Sequence, residues 1–419
     1  MDVPDAILLM GDKQWQEIKS KLTGKFNKMM KGLFRQKGAQ LDINILASDE
    51  AQEFITTHAG ILDAGFQKVE MSDKMRERLT RSNYIFSGIK TFHELNEAFP
   101  SMLDENGNKK TFERFLNDVQ KINDTYNANY LHAEYNFVQA SATMAAKWEQ
   151  FREDGDQYYL QYRTAKDGKV RPEHAALDGV TLPPSDSFWD TYYPPNGWNC
   201  RCNVVQVRKQ KYPITEHSEA MNRGEEAMNG QKYNIFRFNS GKQGKTMPDY
   251  NPYTIRRCND CDVAKGKMKL GFVPDYQLCQ GCIMIRKCSE DRNRDNSAKA
   301  TKKSPEVKKL QGTTISNPDF NHEVLVTGGS IREWTNQPHK EYAAKNSILK
   351  HIAKVFREAK YIGFIDNFKM KPGIKQSHLF ETNVLGELSW IIVREYEIGE
   401  FVLHSISDSD KIKTGIRKE

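Results

Sequence analysis

Residues 171–202, RPEHAALDGVTLPPSDSFWDTYYPPNGWNCRC, constrain the fold of this chain more than any other segment. They hold five of its 15 prolines, two of its six tryptophans and a Cys-x-Cys pair. Each proline fixes its own φ angle and lacks a backbone donor, so a long helix or a central strand is excluded. Gly179 and Gly197 allow sharp reversals, and Trp189 and Trp198 can anchor the loops on an apolar core. The segment therefore predicts a rigid, loop-rich module.

The same segment contains side chains that bind soft metal ions. His174, Cys200 and Cys202 are typical zinc ligands, and Asp178 is a possible fourth ligand. A Cys-x-Cys on a strand places both thiols on one face, where they can also simply be buried. His174 and Asp178 could instead hydrogen-bond the backbone of the loops. Both interpretations stay open, and since no hydrolytic triad accompanies the pattern, we expect this module to be structural.

The length and charge of the chain indicate its class. At 419 residues it exceeds what one hydrophobic core usually supports, so two or three domains are expected. Charged residues make up 28%, the mean hydropathy is −0.73, and no apolar run approaches the roughly 18 residues that span a bilayer. The first residues show no secretory signal, so a cytoplasmic protein without membrane contact is expected. Seven cysteines then indicate thiols or metal ligands rather than disulfides, and a net charge of +7 suits contact with nucleic acid.

The first third of the chain predicts helices. In TFERFLNDVQKI the apolar residues recur at helical spacing, and no Pro or Gly occurs from Thr111 to Arg152. One long helix, or two joined by a kink, is expected there, with Thr111 as a candidate N-cap. The alternating stretch CNVVQV at 202–207 predicts a strand at the end of the loop-rich module.

Four further cysteines form a separate pattern. Cys258 and Cys261, then Cys279 and Cys282, give two C-x2-C turns with seventeen residues between them. This spacing predicts a structural Zn2+ held in a four-cysteine ribbon or knuckle. Lys and Arg flank it and could contact phosphate, although the alternative is a structural staple with a solvated basic rim.

The last hundred residues predict an α+β module. An amphipathic helix is expected over roughly 341–359, followed by strands over 361–365, 378–384, 387–397 and 401–407. One helix packed on an antiparallel sheet of about four strands follows from this order. The expected fold class is therefore multidomain α+β. The predicted domains are a helical region (1–156), the loop-rich domain (157–255), the zinc module (256–290), a charged linker (291–315) and the C-terminal domain (316–419).

The first 250 residues resemble a phage family. YRTAKDGKVRPEHAALDG, FWDTYYPPNGWNCRC and FRFNSGK occur in the order typical of the Mu F-like head morphogenesis domain of tailed phages. The resemblance implies a minor head protein that acts in capsid assembly or DNA packaging. Its partners would be the portal and capsid proteins, and it would be found in the host cytoplasm during assembly and then in the virion.

The segment 322–410 resembles the phage-associated branch of the Barnase–EndoU–colicin–RelE-like ribonucleases, through NQPHK, SHLFETNV and the paired terminal strands. The resemblance implies metal-independent cleavage of RNA by attack of the ribose 2′-hydroxyl, and a possible immunity protein as partner. The reaction needs a base, an acid and cations at the phosphate. Our candidates are His339 and His378 for proton transfer, with Lys340, Lys345, Arg394, Ser405 and Ser407 at the phosphate.

Alternatives remain open for this C-terminal domain. Its net charge of +6 over 283–419, from 24 Lys and Arg against 18 Asp and Glu, suits RNA binding with or without turnover. It could therefore be a structural module that binds nucleic acid or a capsid subunit. The alternation of β-strand residues places His404 toward an interface or solvent and Arg394 against Trp390 and Ile392. Metal-dependent DNA cleavage near His174 is the weakest alternative, because a carboxylate cluster is missing.

Overall fold

The computed structural model describes residues 12–37, 41–248, 251–253, 280–367 and 372–417. Its contacts divide the chain into two compact units, Met1–Ser289 and Glu290–Glu419. The first unit combines helices with a small sheet, and the second is built on a larger sheet. A multidomain α+β protein with a helical N-terminal region is thereby confirmed. Within the described ranges, no helix combines the length and apolar character that crossing a bilayer requires.

Five long helices form the N-terminal part of the first unit. Their bounds are α1 (Asp12–Phe34), α2 (Asp49–Ala64), α3 (Asp73–Ala98), α4 (Phe112–Asn123) and α5 (Leu131–Asp154). The side chains of Ser48, Ser72 and Thr111 accept hydrogen bonds from the free backbone N–H groups at the starts of α2, α3 and α4. A π-helical turn over Asp124–Asn129 joins α4 to α5, so the predicted pair of helices with a kink is confirmed.

A small antiparallel sheet carries the proline-rich segment. Its strands are β1 (Tyr159–Arg163), β2 (Thr181–Leu182) and β3 (Asn203–Val207), in the order β2-β1-β3. The described part of the unit also has shorter helices, namely α6 (Pro172–Ala175), α7 (Phe188–Thr191), α8 (His217–Ala227) and α9 (Ser240–Gln243). The helix α10 (Gln280–Lys303) begins in this unit and ends in the next.

Aromatic packing fixes the loops of this segment, as the sequence predicts for Trp189. Its indole is fully buried and donates from Nε1 to the carbonyl of Pro183 at 3.0 Å. Tyr193 is buried beside it and lies edge-on to Trp148 of α5, with 5.0 Å between the ring centroids. The loops are therefore attached to the helical region by the same apolar core.

The second unit contains a six-stranded sheet in the order β4-β5-β9-β8-β7-β6. Its strands are β4 (Thr314–Asn317), β5 (Phe320–Leu325), β6 (Lys360–Asp366), β7 (Ile374–Val384), β8 (Glu387–Tyr396) and β9 (Phe401–Ser407). Four of them correspond to the predicted strands. The structure adds β4 and β5, and β5 pairs with β9 in parallel, so the sheet is not purely antiparallel.

Helices of this unit also differ from the expectation. The predicted helix over 341–359 is interrupted, giving α13 (Tyr342–Ile348) and α14 (Ile352–Glu358). Two more helices, α11 (Pro305–Leu310) and α12 (Gly328–Asn336), precede them. The segment predicted as a charged linker, 291–315, is mostly helical in α10 and α11. It buries a few side chains such as Val307 on one side, and this burial compensates for its low apolar content.

Candidate functional sites

The proline-rich segment brings three soft ligand atoms together. His174 lies on α6, which begins at Pro172, and Cys200 and Cys202 lie in the turn that leads into β3. Nδ1 of His174 is 3.6 Å from Sγ of Cys200 and 3.7 Å from Sγ of Cys202. All three side chains are buried, and their ligand atoms lie within 4.8 Å of one another. The structure thus assembles three of the four ligands predicted for this site.

The two thiols have different electrostatic surroundings. The hydrogen bond from Cys202 lowers the pKa of the Cys200 thiol well below its usual value; burial opposes this shift and His174 adds to it. The same bond, together with burial, raises the pKa of Cys202.

Asp178, the predicted fourth ligand, points elsewhere. Its Oδ1 accepts hydrogen bonds from the backbone N–H and the hydroxyl of Thr164, at 2.8 and 3.1 Å. Its Oδ2 lies 3.3 Å from Nζ of Lys166. This carboxylate holds the turn after β1, which is the alternative role that the sequence left open.

The four-cysteine zinc module is not confirmed. Cys258, Cys261 and Cys279 lie outside the described residues, and Cys282 is a buried residue in the first turn of α10. The zinc ion predicted from their spacing stays a prediction.

In the second unit, His339, Lys340 and Lys345 lie near one another. Nε2 of His339 is 3.0 Å from the Ser389 hydroxyl on β8. Desolvation lowers the pKa of His339, although the charge of Asp408 opposes this. Nζ of Lys340 lies 2.6 Å from a carboxylate oxygen of Glu387, and this bond raises the pKa of the exposed Lys340.

Lys345 is fully buried and has a structural role. Its Nζ donates to the carbonyls of Trp334 and Gln337, both at 2.6 Å. Desolvation lowers the pKa of Lys345 to about 7, with a smaller opposing effect from Asp408. The ammonium therefore fastens α13 to the end of α12, and it does not reach a surface where a phosphate could bind.

His378 lies in a different place. It is buried, with Nδ1 2.9 Å from the Tyr361 hydroxyl and Nε2 3.1 Å from Glu395. Burial raises the pKa of Glu395, but bonds from Lys375, His378 and Gln376 lower it overall. In the sheet register His378 is opposite Val393, whereas Ser389, the partner of His339, is four residues away along β8. At about 3.3 Å per residue this separation is roughly 13 Å. The two histidines are therefore not brought to one phosphodiester.

A pocket of about 240 Å³ lies between the start of α12 and the paired ends of β8 and β9. The residues that line it are Thr327, Gly329, Ser330, Arg332, Glu333, Arg394, Tyr396, Val402, Leu403 and His404. Of the predicted phosphate ligands only Arg394 reaches this pocket. Neither Ser405, which is buried, nor Ser407, which accepts from the backbone N–H of Ser409, is among the residues that line it.

His404 is the residue whose position the strand pattern does not predict. The β8–β9 register pairs Ile392 with Ser405 but Val393 with Leu403, so His404 is the extra residue of a β-bulge. A bulge redirects a side chain relative to strict alternation. Arg332, Glu333 and Tyr396 were missed as well, because only the fold places α12 against these strands.

Comparison with known proteins gives one family match in each part of the chain. Residues 105–205 match the family model described as Phage Mu protein F like protein. Residues 293–403 match the model described as Large polyvalent protein-associated domain 3. The predicted Mu F-like head morphogenesis domain is thus supported, and the C-terminal part contains a polyvalent protein-associated domain whose description names no nuclease. No solved structure matches the chain.

Two phage proteins are similar to the chain in sequence. One is the "Putative capsid assembly protein F" of Escherichia phage Mu, which is 32% identical over 284 residues, or 62% of this chain. The other is the Mu-like prophage FluMu F protein of Haemophilus influenzae, which is 34% identical over 102 residues, or 24% of this chain. The matched regions span 61% of the first relative and 22% of the second.

Proposed function

We propose that this protein acts in the assembly of a phage head. The observation that carries the proposal is its 32% identity over 284 residues to a protein described as acting in capsid assembly. The packing of the proline-rich segment supports the proposal, because loops anchored by Trp189 and Tyr193 keep a defined surface. Capsid and portal proteins are its proposed partners, first in the bacterial cytoplasm and then in the virion.

A stop codon early in the gene of the encoding phage tests this role. We expect a large fall in the yield of infectious particles, restored by the full chain supplied in trans. Electron microscopy of the lysate should show aberrant or empty heads. An immunoblot of purified particles should detect the chain. Normal heads at normal yield, with no chain in purified wild-type particles, would contradict the proposal.

We further propose that the second unit cuts RNA, and that the pocket beside α12 is the site. Its support is the convergence of two arginines, a carboxylate and an imidazole on one concave surface. Glu333 would take the proton from the ribose 2′-hydroxyl as it attacks phosphorus, and His404 would protonate the leaving 5′-oxygen. Arg332 and Arg394 would stabilise the charge on the pentavalent phosphate. The products would be a 2′,3′-cyclic phosphate and a free 5′-hydroxyl.

The full chain incubated with RNA in EDTA tests this role. We expect cleavage with cyclic phosphate ends, and a loss on the order of a hundredfold or more in Glu333→Gln and His404→Asn. Lys354→Gln removes an exposed positive charge that lies 4.0 Å from Glu358, outside the pocket, and is the matched control. If only His339→Asn and His378→Asn abolish cleavage, the pocket is not the site. Tight, salt-sensitive binding without any cleavage would leave the purely structural alternative.

A further inference from the structure

The geometry around His174 fits a metal ion more closely than a hydrogen-bonded cluster. Zinc binds cysteine sulfur at about 2.3 Å and histidine nitrogen at about 2.0–2.1 Å in tetrahedral sites. These bond lengths and the tetrahedral angle place sulfur and nitrogen about 3.6 Å apart. The observed separations from Nδ1 of His174 are 3.6 Å to Cys200 and 3.7 Å to Cys202.

Hydrogen bonding alone explains this arrangement less well. A ring nitrogen has one in-plane position for a hydrogen bond, so two sulfur atoms at nearly equal distance would have to share it in a weaker, bifurcated bond. Nε2 of His174 is also buried and has no hydrogen-bond partner among the described residues. A buried imidazole held only by such weak thiol contacts would be poorly stabilised. One cation between the three atoms would satisfy Nδ1 and both sulfurs together.

The backbone holds the ligands in place from both sides. The carbonyl of His174 accepts from the backbone N–H of Leu177 at 3.1 Å, and the N–H of Cys200 donates to Gly197 at 3.1 Å. The Arg171 guanidinium donates to the carbonyl of Trp198 at 2.6 Å. Gly197 packs closely in this turn, since a Cβ there would lie 2.9 Å from the Arg171 guanidinium and 3.6 Å from the His174 ring. The ligand atoms are thus preorganised by contacts that do not depend on an ion.

We propose that Nδ1 of His174 and the thiolates of Cys200 and Cys202 bind one zinc ion. Two thiolates neutralise its charge, and this ligand set suits zinc among the common metals. A water molecule or another non-protein ligand takes the fourth position. The ion would join α6 to the start of β3 and so brace the proline-rich loops. Asp178 takes no part, because both of its oxygens are engaged at Thr164 and Lys166.

Metal analysis of the full chain tests the site, and the four cysteines of the predicted zinc module must be separated from it. We expect the Cys258→Ser/Cys261→Ser variant to retain one equivalent of zinc. Adding Cys200→Ser and Cys202→Ser should remove that equivalent, as should His174→Asn. Asp178→Asn is the matched control, a ligand-type residue in the same loops, and should keep the metal. Replacing zinc with cobalt should give a thiolate-to-cobalt charge-transfer band that disappears with the same substitutions.

The Cys258→Ser/Cys261→Ser variant keeps all three proposed ligands, so its metal content is informative even if the other variants unfold. Circular dichroism confirms its fold, and thiol reagents report whether Cys200 and Cys202 react before a chelator is added. Folded Cys258→Ser/Cys261→Ser protein without zinc or cobalt, whose two thiols react freely, would overturn the proposal. So would loss of metal in Asp178→Asn with retention in His174→Asn.

Discussion

The buried charge of Lys90 in α3 offers a sharp test of how the helical region is held together. Its Nζ is 2.7 Å from Oε2 of Glu134 on α5 and 2.7 Å from the carbonyl of Tyr126. Nε2 of His58 on α2 lies 3.1 Å from the same ammonium. All of these side chains are essentially inaccessible to solvent. Lys90→Met keeps the length and volume of the side chain but removes its charge.

The expected effect is large because Glu134 stays buried without its cation. Desolvation raises the pKa of Glu134, but Lys90 and His58 together hold it at about 2, so the carboxylate is charged at neutral pH. Breaking a buried pair by removing one partner destabilises a protein by about 3–5 kcal/mol. At 1.4 kcal/mol per tenfold change, local opening should become on the order of a hundredfold or more easier. That is a large part of the roughly 5–15 kcal/mol that stabilises a typical domain.

Hydrogen exchange measured by mass spectrometry is the assay. Peptides from α3 and α5 should exchange much faster in Lys90→Met, while peptides from β8 in the second unit provide an internal reference. Lys25→Met removes a surface pair with Glu53 and is the control, expected to change the free energy by about 1 kcal/mol or less. Unchanged protection of α3 and α5 in Lys90→Met would refute the view that this pair stabilises the helices.

The pH dependence gives a second readout of the same substitution. Desolvation, and then the charge of Lys90, lowers the pKa of His58 to about 4. The wild type therefore loses stability as pH falls below about 6.5, the unfolded pKa of histidine, toward 4. Without Lys90 the folded-state pKa of His58 rises, and the imidazolium can pair with Glu134. The difference in stability between the wild type and Lys90→Met should therefore shrink as pH is lowered from 7 to 5.

Three further predictions concern buried or closely packed positions. Burial raises the pKa of Glu94 to about 8. The folded state therefore binds a proton that the unfolded state releases, and stability falls as pH rises from about 4.5 to 8. Glu94→Gln should remove this slope and stabilise the protein at pH 8, as measured by thermal midpoints. Gly241→Ala places a Cβ 2.2 Å from Cβ of Trp148 and should destabilise the folded protein by about 1–3 kcal/mol. The Cβ of Gly24→Ala in α1 meets nothing within 4 Å, so this variant should be more stable by about 0.5–1 kcal/mol. Urea unfolding measures both changes. The pKa of Lys345 is lowered to about 7, so the second unit should become more stable as pH rises from 7 to about 10, and this rise should vanish in Lys345→Met.

Local patterns determined much of the fold. The helical period and the cap at Thr111 predicted α4 and α5, and β-rich runs predicted β6, β8 and β9 to within a residue at each end and β7 except for its first four residues. Both signals arise from neighbouring residues along the chain, so no long-range information is needed. The proline-rich segment also supplied three side chains, His174, Cys200 and Cys202, that the fold brings together, because ligand chemistry belongs to individual residues.

Tertiary contacts decided the rest. The helical state of 291–303 and the parallel pairing of β5 with β9 depend on partners distant in the sequence. Burial of Lys90 and Lys345, two residues that usually lie in water, depends on carbonyls and carboxylates from other elements. The bulge at His404 directs this side chain into the pocket beside α12, whereas strict strand alternation would direct it elsewhere. The sequence by itself therefore determined α4, α5 and β6 to β9 and supplied the side chains that could carry chemistry. Only the packing of the elements determined which of these side chains meet, because distances between them are set by contacts that no local period encodes.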